Sequence, residues 1–277
     1  MGKKRVALCL SGFIGTVDKH VKGAEIDYHY GHEKYMHPAI LSYGDVDVFI
    51  HSWSVPHEEG VKELYKPVRS IFEPNKDFKL RGDIGKNRLP NPYSFCVKSM
   101  WYSRQKTIQL AEEYEKENDF KYDHVILTRF DIAFMKKFNF DDYDRSKLYI
   151  SPPILYRDHA GQNIPYRIND TWFMGNIKNL SKVTKINDTY EKIAISNNKM
   201  WPMEPVSSHE VITEHFTNEA LFKDIECIFP RPWGSSLNWV GDVRFLRGDP
   251  DLKILPRAEE KIIVLDCSSP NNKGQQV

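Results

Sequence analysis

The chain has 277 residues, 40% of them hydrophobic and 28% charged, which suits a soluble globular protein of one large α/β domain or two small ones and excludes a disordered chain. Lysine and arginine (39) nearly balance aspartate and glutamate (38), so a formal charge of +1 gives no global field for nucleic acid, although local patches can still hold phosphate. No run of about 18 apolar residues occurs, so no membrane span is expected.

The start, MGKKRVALCLSGF, imitates a signal peptide with its basic residues, but Val6–Leu10 is too short for the apolar region of one and reads as a first strand. Further strand candidates follow at Val46–His51, Arg69–Phe72, Val125–Arg129, Lys147–Ser151, Thr171–Met174 and Ile262–Leu265. Helical patterns alternate with them. The clearest covers residues 97–118, with Val97, Met100, Trp101, Ile108 and Ala111 on one stripe. A second spans Lys178–Ile195, and a third begins at Ser207 and includes Val211, Ile212, Phe216 and Ala220. The alternation predicts an α/β fold with a mostly parallel, Rossmann-like central sheet and helices on both faces. Residues 78–92, rich in Gly, Pro, Lys and Arg, read as a long loop of the kind that forms lids. SSPNNKGQQV reads as a frayed tail. Cys9, Cys96, Cys227 and Cys267 are too scattered for a zinc site or a disulfide framework. With no targeting signal, the sequons at Asn169, Asn179 and Asn187 read as coincidental, and a cytoplasmic location is expected.

Ligands of open α/β sheets bind where strands end, so the polar residues at those ends are the candidates. After the first strand, Ser11, Gly12, Gly15 and Thr16 offer hydroxyls and close backbone approach, either to seat a nucleotide or simply to turn the chain. Neither GxGxxG nor the P-loop lysine is present. The second strand ends at His51 and Trp53, where an indole either stacks on a base or caps the core. Arg104 falls at the centre of its helix's apolar stripe. A guanidinium there snorkels, pairs with a buried carboxylate, or presents its fork to phosphate.

The stretch HVILTRFDIAF ends a buried strand with Arg129 and Asp131. Asp131 is placed to hold a hard cation such as Mg²⁺ or Mn²⁺, with Arg129 neutralising phosphate; the plain alternative is a structural ion pair. In RINDTWFMGN, Asp170 is either a sugar contact and base or a turn residue. SSHEVITEHF presents His209, Glu210, Glu214 and His215, of which Glu210 also fits a capping box with Ser207; one of the four is a candidate base or metal partner. No HExxH occurs. Residues 230–249 carry Arg231, Trp233, Trp239, Arg244 and Arg247, suited either to a loop closing on phosphate or sugar or to an ordinary surface loop.

ALCLSGF, DVDVFIHSW, SMWYSRQKTI and VILTRFDIAF, in that order, resemble nucleotide-sugar glycosyltransferases of the GT-A fold. Small soluble enzymes building surface glycans in bacteria and in large algal (chlorella) viruses are the nearer likeness, across about residues 4–222. NDTWFMGN and SSHEVITEHF follow where that family keeps sugar or acceptor contacts. The resemblance implies one GT-A-like domain over residues 1–265, with the nucleotide held by about 1–135 and the acceptor by about 136–265. It implies a hexosyl- or pentosyltransferase using a nucleotide-diphosphate sugar, with UDP first among donors, and a glycan or glycoprotein acceptor. Mn²⁺ or Mg²⁺ on Asp131 would bridge the diphosphate, although Arg129 stands where the family's motif commonly opens with an Asp. Ser11, Gly12, His51, Trp53, Arg104, Arg129 and Asp131 would form the donor site. For an inverting transfer Asp170, then Glu210, would be the base. The rivals are a sugar nucleotidyltransferase, whose basic Gly-rich signature SGFIGT lacks, and a noncatalytic nucleotide- or glycan-binding protein.

Overall fold

The heptapeptide VALCLSG forms β1 (Val6–Gly12), buried on both faces up to its last residue. A strand apolar on both faces needs helices above and below it, and the chain supplies them. The computed structural model describes residues 3–14, 26–78, 92–151, 154–157, 163–200, 208–228, 239–240 and 243–245. From β1 the chain passes α1 (Tyr28–Gly31), a π-helical turn (His32–Met36) and α2 (His37–Ala39) before β2 (Val46–Ser52). α3 (Glu58–Tyr65) leads to β3 (Arg69–Phe72), and α4 (Pro92–Glu117) returns to β4 (His124–Arg129). Next come β5 (Ile132–Phe134), β6 (Leu148–Ile150), the hairpin of β7 (Ile154–Arg157) and β8 (Asn163–Arg167), and β9 (Phe173–Gly175). α5 (Ile177–Thr184), α6 (Ile186–Met200), α7 (Ser208–Asn218), β10 (Ile225–Cys227), β11 (Trp239–Val240) and β12 (Val243–Phe245) complete the described elements.

The main sheet has seven strands in the order β10-β6-β9-β4-β1-β2-β3. β9 runs antiparallel to β4 and β6, and the other pairings are parallel. The architecture is therefore α/β with a mostly parallel sheet, as expected. β1 leads outward to β2 and β3, and α4 then carries the chain back to β4 on the other side of β1. That reversal puts a crevice at the carboxyl ends of β1 and β4, where open α/β sheets bind ligands.

Alternation along the strands sorts the core into two layers. Ala7, Cys9, Phe49, Val125 and Leu127 pack with Trp101, Ile108 and Ala111 of α4 and with α5–α7. Leu8, Leu10, Val48, Ile50 and Ile126 face the opposite layer, which includes Met36, Ile40, Val61 and Tyr65. Ser11, His51 and Arg129 share one row of the sheet, in register with one another across β2, β1 and β4, and continue the α4-facing set.

Several helix boundaries differ from expectation: α4 begins at Pro92 rather than at residue 97, and α6 runs on to Met200 rather than ending at Ile195. The single helix expected over Lys178–Ile195 is two helices, α5 and α6, with Lys185 at the junction. Thr184 Oγ1 donates back to the carbonyls of Leu180 (3.0 Å) and Ser181 (3.3 Å), a contact that competes with regular helix and bends it. α7 stops at Asn218 rather than including Ala220, whose φ of 51° is left-handed. The strand expected at Ile262–Leu265, the tail and Ser207 lie outside the described residues. Among the described residues no helix is long and apolar enough to cross a membrane. Asn169, Asn179 and Asn187 are buried, so none offers its amide to a glycan in this fold.

Candidate active site at the ends of β1 and β4

β1 ends in Gly12 at φ +103°, a conformation that L side chains rarely adopt. A Cβ built there would meet no atom of the described residues within 4 Å, so among them the space over this backbone is open. The flanking groups fix the strand end. Ser11 Oγ donates to the Thr128 carbonyl (3.1 Å), tying β1 to β4, and Ser52 Oγ donates to the Gly12 carbonyl (2.9 Å), tying it to β2. Both serines are buried, so Ser11 acts as a brace between strands. Gly15 and Thr16 lie outside the described residues.

His51 is fully buried, and burial holds its pKa below the ordinary value against the opposing pull of Glu73. The neutral ring has one N–H, and its neighbours assign it. Glu73 Oε1, 3.1 Å from Nε2, can only accept, because the same carboxylate is paired with Lys76 at 2.9 Å. Nε2 therefore carries the proton, and Nδ1 accepts from Ser103 Oγ at 2.8 Å. Ser103 Oγ in turn accepts from Gly12 N at 2.9 Å. One chain of hydrogen bonds thus runs from β1 through α4 and β2 to the residue after β3. His51 positions this edge from beneath and has no open face.

Trp53 is buried in an aromatic wall. Its ring stacks on Tyr102 (5.5 Å, 23°) and meets His51 (4.7 Å) and Phe78 (6.1 Å) edge-on. Tyr102 is half-buried, with Lys76 and Lys106 lying 4.5 and 5.6 Å from its ring centroid.

On the β4 side, Arg129 grips Asp131 with its fork, Nε to Oδ1 at 2.7 Å and Nη2 to Oδ2 at 2.5 Å. The Arg129 side chain remains 26% exposed and that of Asp131 only 4%. Burial works against the Arg129 charge, but Asp131 and Asp170 outweigh it and raise its pKa above the ordinary value. Arg104 is fully buried; it lies over the rings of Trp101 (4.6 Å) and Phe173 (5.8 Å). Its Nη2 donates to the Asp170 carbonyl, while Nε and Nη1 have no partner among the described residues. Burial lowers its pKa to about 10, opposed by Asp170 and Asp131 and assisted by Arg129. For Asp170, burial would raise the pKa, but His209, Arg104 and Arg129 hold it below the ordinary value. Arg104, Arg129, Asp131 and Asp170 therefore act on one another as a single cluster.

α7 delivers His209 to this cluster. Its Nδ1 lies 3.9 Å from Asp170 Oδ1 and 3.1 Å from the Ile168 carbonyl. Glu210 follows on the same first turn, half-buried, and Glu214 is half-buried one turn later. His215 is elsewhere: Nε2 meets the Lys182 carbonyl at 2.8 Å and Nδ1 meets Thr189 Oγ1 at 3.2 Å, joining α7 to α5 and α6. The backbone of β12 pairs with β5, setting Arg244 opposite Ala133 and bringing this part of the 230–249 stretch beside Asp131 in the chain. Arg231, Trp233 and Arg247 lie outside the described residues, and of Trp239 and Arg244 only the backbone is described.

Both oxygens of Asp131 are held by the Arg129 fork, so the divalent ion implied by the resemblance would have to displace that fork to reach Asp131. Three residues that matter here have no counterpart among the sequence candidates: Ser103, Tyr102 and Glu73. Glu73 follows β3 directly, so the strand-end rule applied to that strand finds it. No protein-family model matches the chain, and no curated protein matches it.

Proposed function

We propose that the protein is a glycosyltransferase of the GT-A type, moving a sugar from a nucleotide-diphosphate sugar to a glycan acceptor. The observation that carries this reading is the convergence of a positive-φ glycine under open space with two arginines at the switch point between β1 and β4. Arg129, with Arg104 behind it, stabilises the charge that grows on the departing nucleoside diphosphate, the costliest part of an oxocarbenium-like transfer. The wall of Trp53, Tyr102 and Phe78 bounds the nucleoside end. Asp170, ionised at neutral pH, takes the acceptor hydroxyl's proton in an inverting transfer, and Glu210 is the second candidate. The ordered chain through Ser103 and His51 holds the edge of the site rigid while the ligand binds.

UDP-sugars, then GDP-, dTDP- and CMP-sugars, are incubated with the protein and a mixture of glycan acceptors, and nucleotide release is followed by NMR. One donor class is expected to be consumed only when acceptor is present. Asp170→Asn is expected to lower kcat by roughly a hundredfold or more while nucleotide binding persists. Consumption of no donor sinks the reading. Pyrophosphate exchange between a nucleoside triphosphate and a sugar phosphate would instead assign the site to nucleotidyl transfer.

A further inference from the structure

Two arginines and two carboxylates meet at the end of β4, Arg104 and Arg129 against Asp131 and Asp170, and these four sum to zero beside the titratable His209. Their hydrogen bonds are unevenly made. Asp131 receives both prongs of Arg129. Arg104, with no exposed surface, makes one hydrogen bond, to a backbone carbonyl, and leaves two N–H-bearing nitrogens without partners among the described residues. A buried guanidinium in that state costs free energy unless an acceptor arrives, and an anion is one of the acceptors that satisfies such a donor. The planar fork that matches a carboxylate matches a phosphate equally well. Arg129 keeps a quarter of its side chain in solvent, and Gly12, which shares the β1 end with Arg129's register partner Ser11, lies under open space.

The geometry points to a phosphate site that works without a divalent cation: the diphosphate of the donor takes Arg129's fork in place of Asp131, with Arg104 as the inner cation. This rests on the donor-diphosphate reading above and deepens it. Asp131 then has the opposite role from a metal ligand. It holds Arg129 in a resting pair and competes with the incoming anion, so it keeps the empty cluster neutral and lowers affinity for phosphate. The sign of one substitution separates the two roles. Asp131→Asn keeps the side chain's shape and a carbonyl acceptor, removes the competing charge, and leaves Arg129 still facing Asp170.

Calorimetric titration tests this on the full chain, with inorganic pyrophosphate and UDP in EDTA and with UDP again in Mn²⁺. The wild-type protein is expected to bind both ligands in EDTA, with Mn²⁺ changing UDP affinity by less than about twofold. Asp131→Asn is expected to bind both roughly tenfold more tightly, the size of a coupling through one shared charged group. Arg129→Gln and Arg104→Met are expected to lose at least about tenfold, with circular dichroism confirming that each variant is folded. UDP binding that requires Mn²⁺ and disappears in Asp131→Asn makes Asp131 a metal ligand; that overturns the inference and leaves the transferase reading standing. Equal weak binding in all variants, or none, also overturns it, and the donor-consumption assay then judges the transferase reading independently. If an arginine variant fails to fold, the direction of the Asp131→Asn shift still decides.

Discussion

Ser103 sits at the join of the candidate site. Its hydroxyl accepts from Gly12 N and supplies the proton that the deprotonated Nδ1 of His51 needs, and Ser103 and His51 are both fully buried. A donor or acceptor stranded in such surroundings loses its water without compensation, so the cost of breaking the chain exceeds that of an average hydrogen bond. Ser103→Ala strands two groups at once, Gly12 N–H and His51 Nδ1. Its expected cost is about 2 kcal/mol of unfolding free energy, read from urea titration. A loss below about 0.5 kcal/mol would mean that water replaces the hydroxyl and that the chain does not brace the strand ends. In sequence, Ser103 is one small polar residue beside a more conspicuous arginine. Nothing in helical periodicity shows that its partners come from two strands some 50 and 90 residues away.

At the scale of elements, β1 and its terminus define the crevice. Gly12 at φ +103° has no neighbour among the described residues within 4 Å of a built Cβ, so Gly12→Ala isolates the backbone term from any steric one. The expected destabilisation is about 1–2 kcal/mol, the cost of holding an L-residue in that region, measured by urea unfolding. A cost of only a few tenths would show that the strand end relaxes. β1 to β4 and α4 were legible in the sequence because their cues are local: apolar runs of strand length, and a stripe from Val97 to Ala111. α4 even ends within a residue of expectation, where Asp119 turns left-handed at φ 50°. β6 and β9 were legible as well, within Lys147–Ser151 and Thr171–Met174, whereas β5, β10 and β12, three residues each, match no expected strand and are defined by the neighbouring strands that pair with them. The site follows the same division. Arg104, Arg129, Asp131 and Asp170 were each legible, as charges where apolar pattern or a strand end made them conspicuous. The Arg129–Asp131 pair was legible too, as the plain alternative to a metal site, but its two-pronged geometry and its coupling to Arg104 and Asp170 depend on rotamers and on packing between distant elements.

For the whole molecule, three buried histidines and the half-buried His32 set the response to acid. His32, His51, His124 and His215 all have pKa values lowered, each primarily by burial, so each resists in the folded state a proton that the unfolded chain accepts readily. His124 is the extreme case. It stacks on Phe140 at 6.0 Å at the start of β4, and neither ring nitrogen has a hydrogen-bond partner among the described residues. Burial and then Lys4 bring its pKa from an ordinary 6.5 to about 4, with Asp123 and the nearby Phe140 and Tyr143 carbonyls opposing them. For a base with a depressed folded pKa, stability is intact above the unfolded value of about 6.5 and falls with pH until the folded value is reached. Between pH 7.5 and 5.0 this one ring accounts for a loss on the order of 2 kcal/mol, given about 1.4 kcal/mol per pKa unit. His124→Phe keeps an aromatic ring against Phe140 and removes the titration. Urea unfolding at the two pH values is expected to show the acid-induced loss reduced by about that amount in the variant, with the other three histidines accounting for the remainder. An unchanged pH dependence would mean that His124 is protonated in the folded protein at pH 5 and that its nitrogens find partners in the β4 entry turn. The carboxylates held low, Glu73 and Asp170 among them, lose their stabilisation as pH falls from the ordinary carboxylate range through their depressed values, so at pH 5–6.5 the histidines dominate the slope.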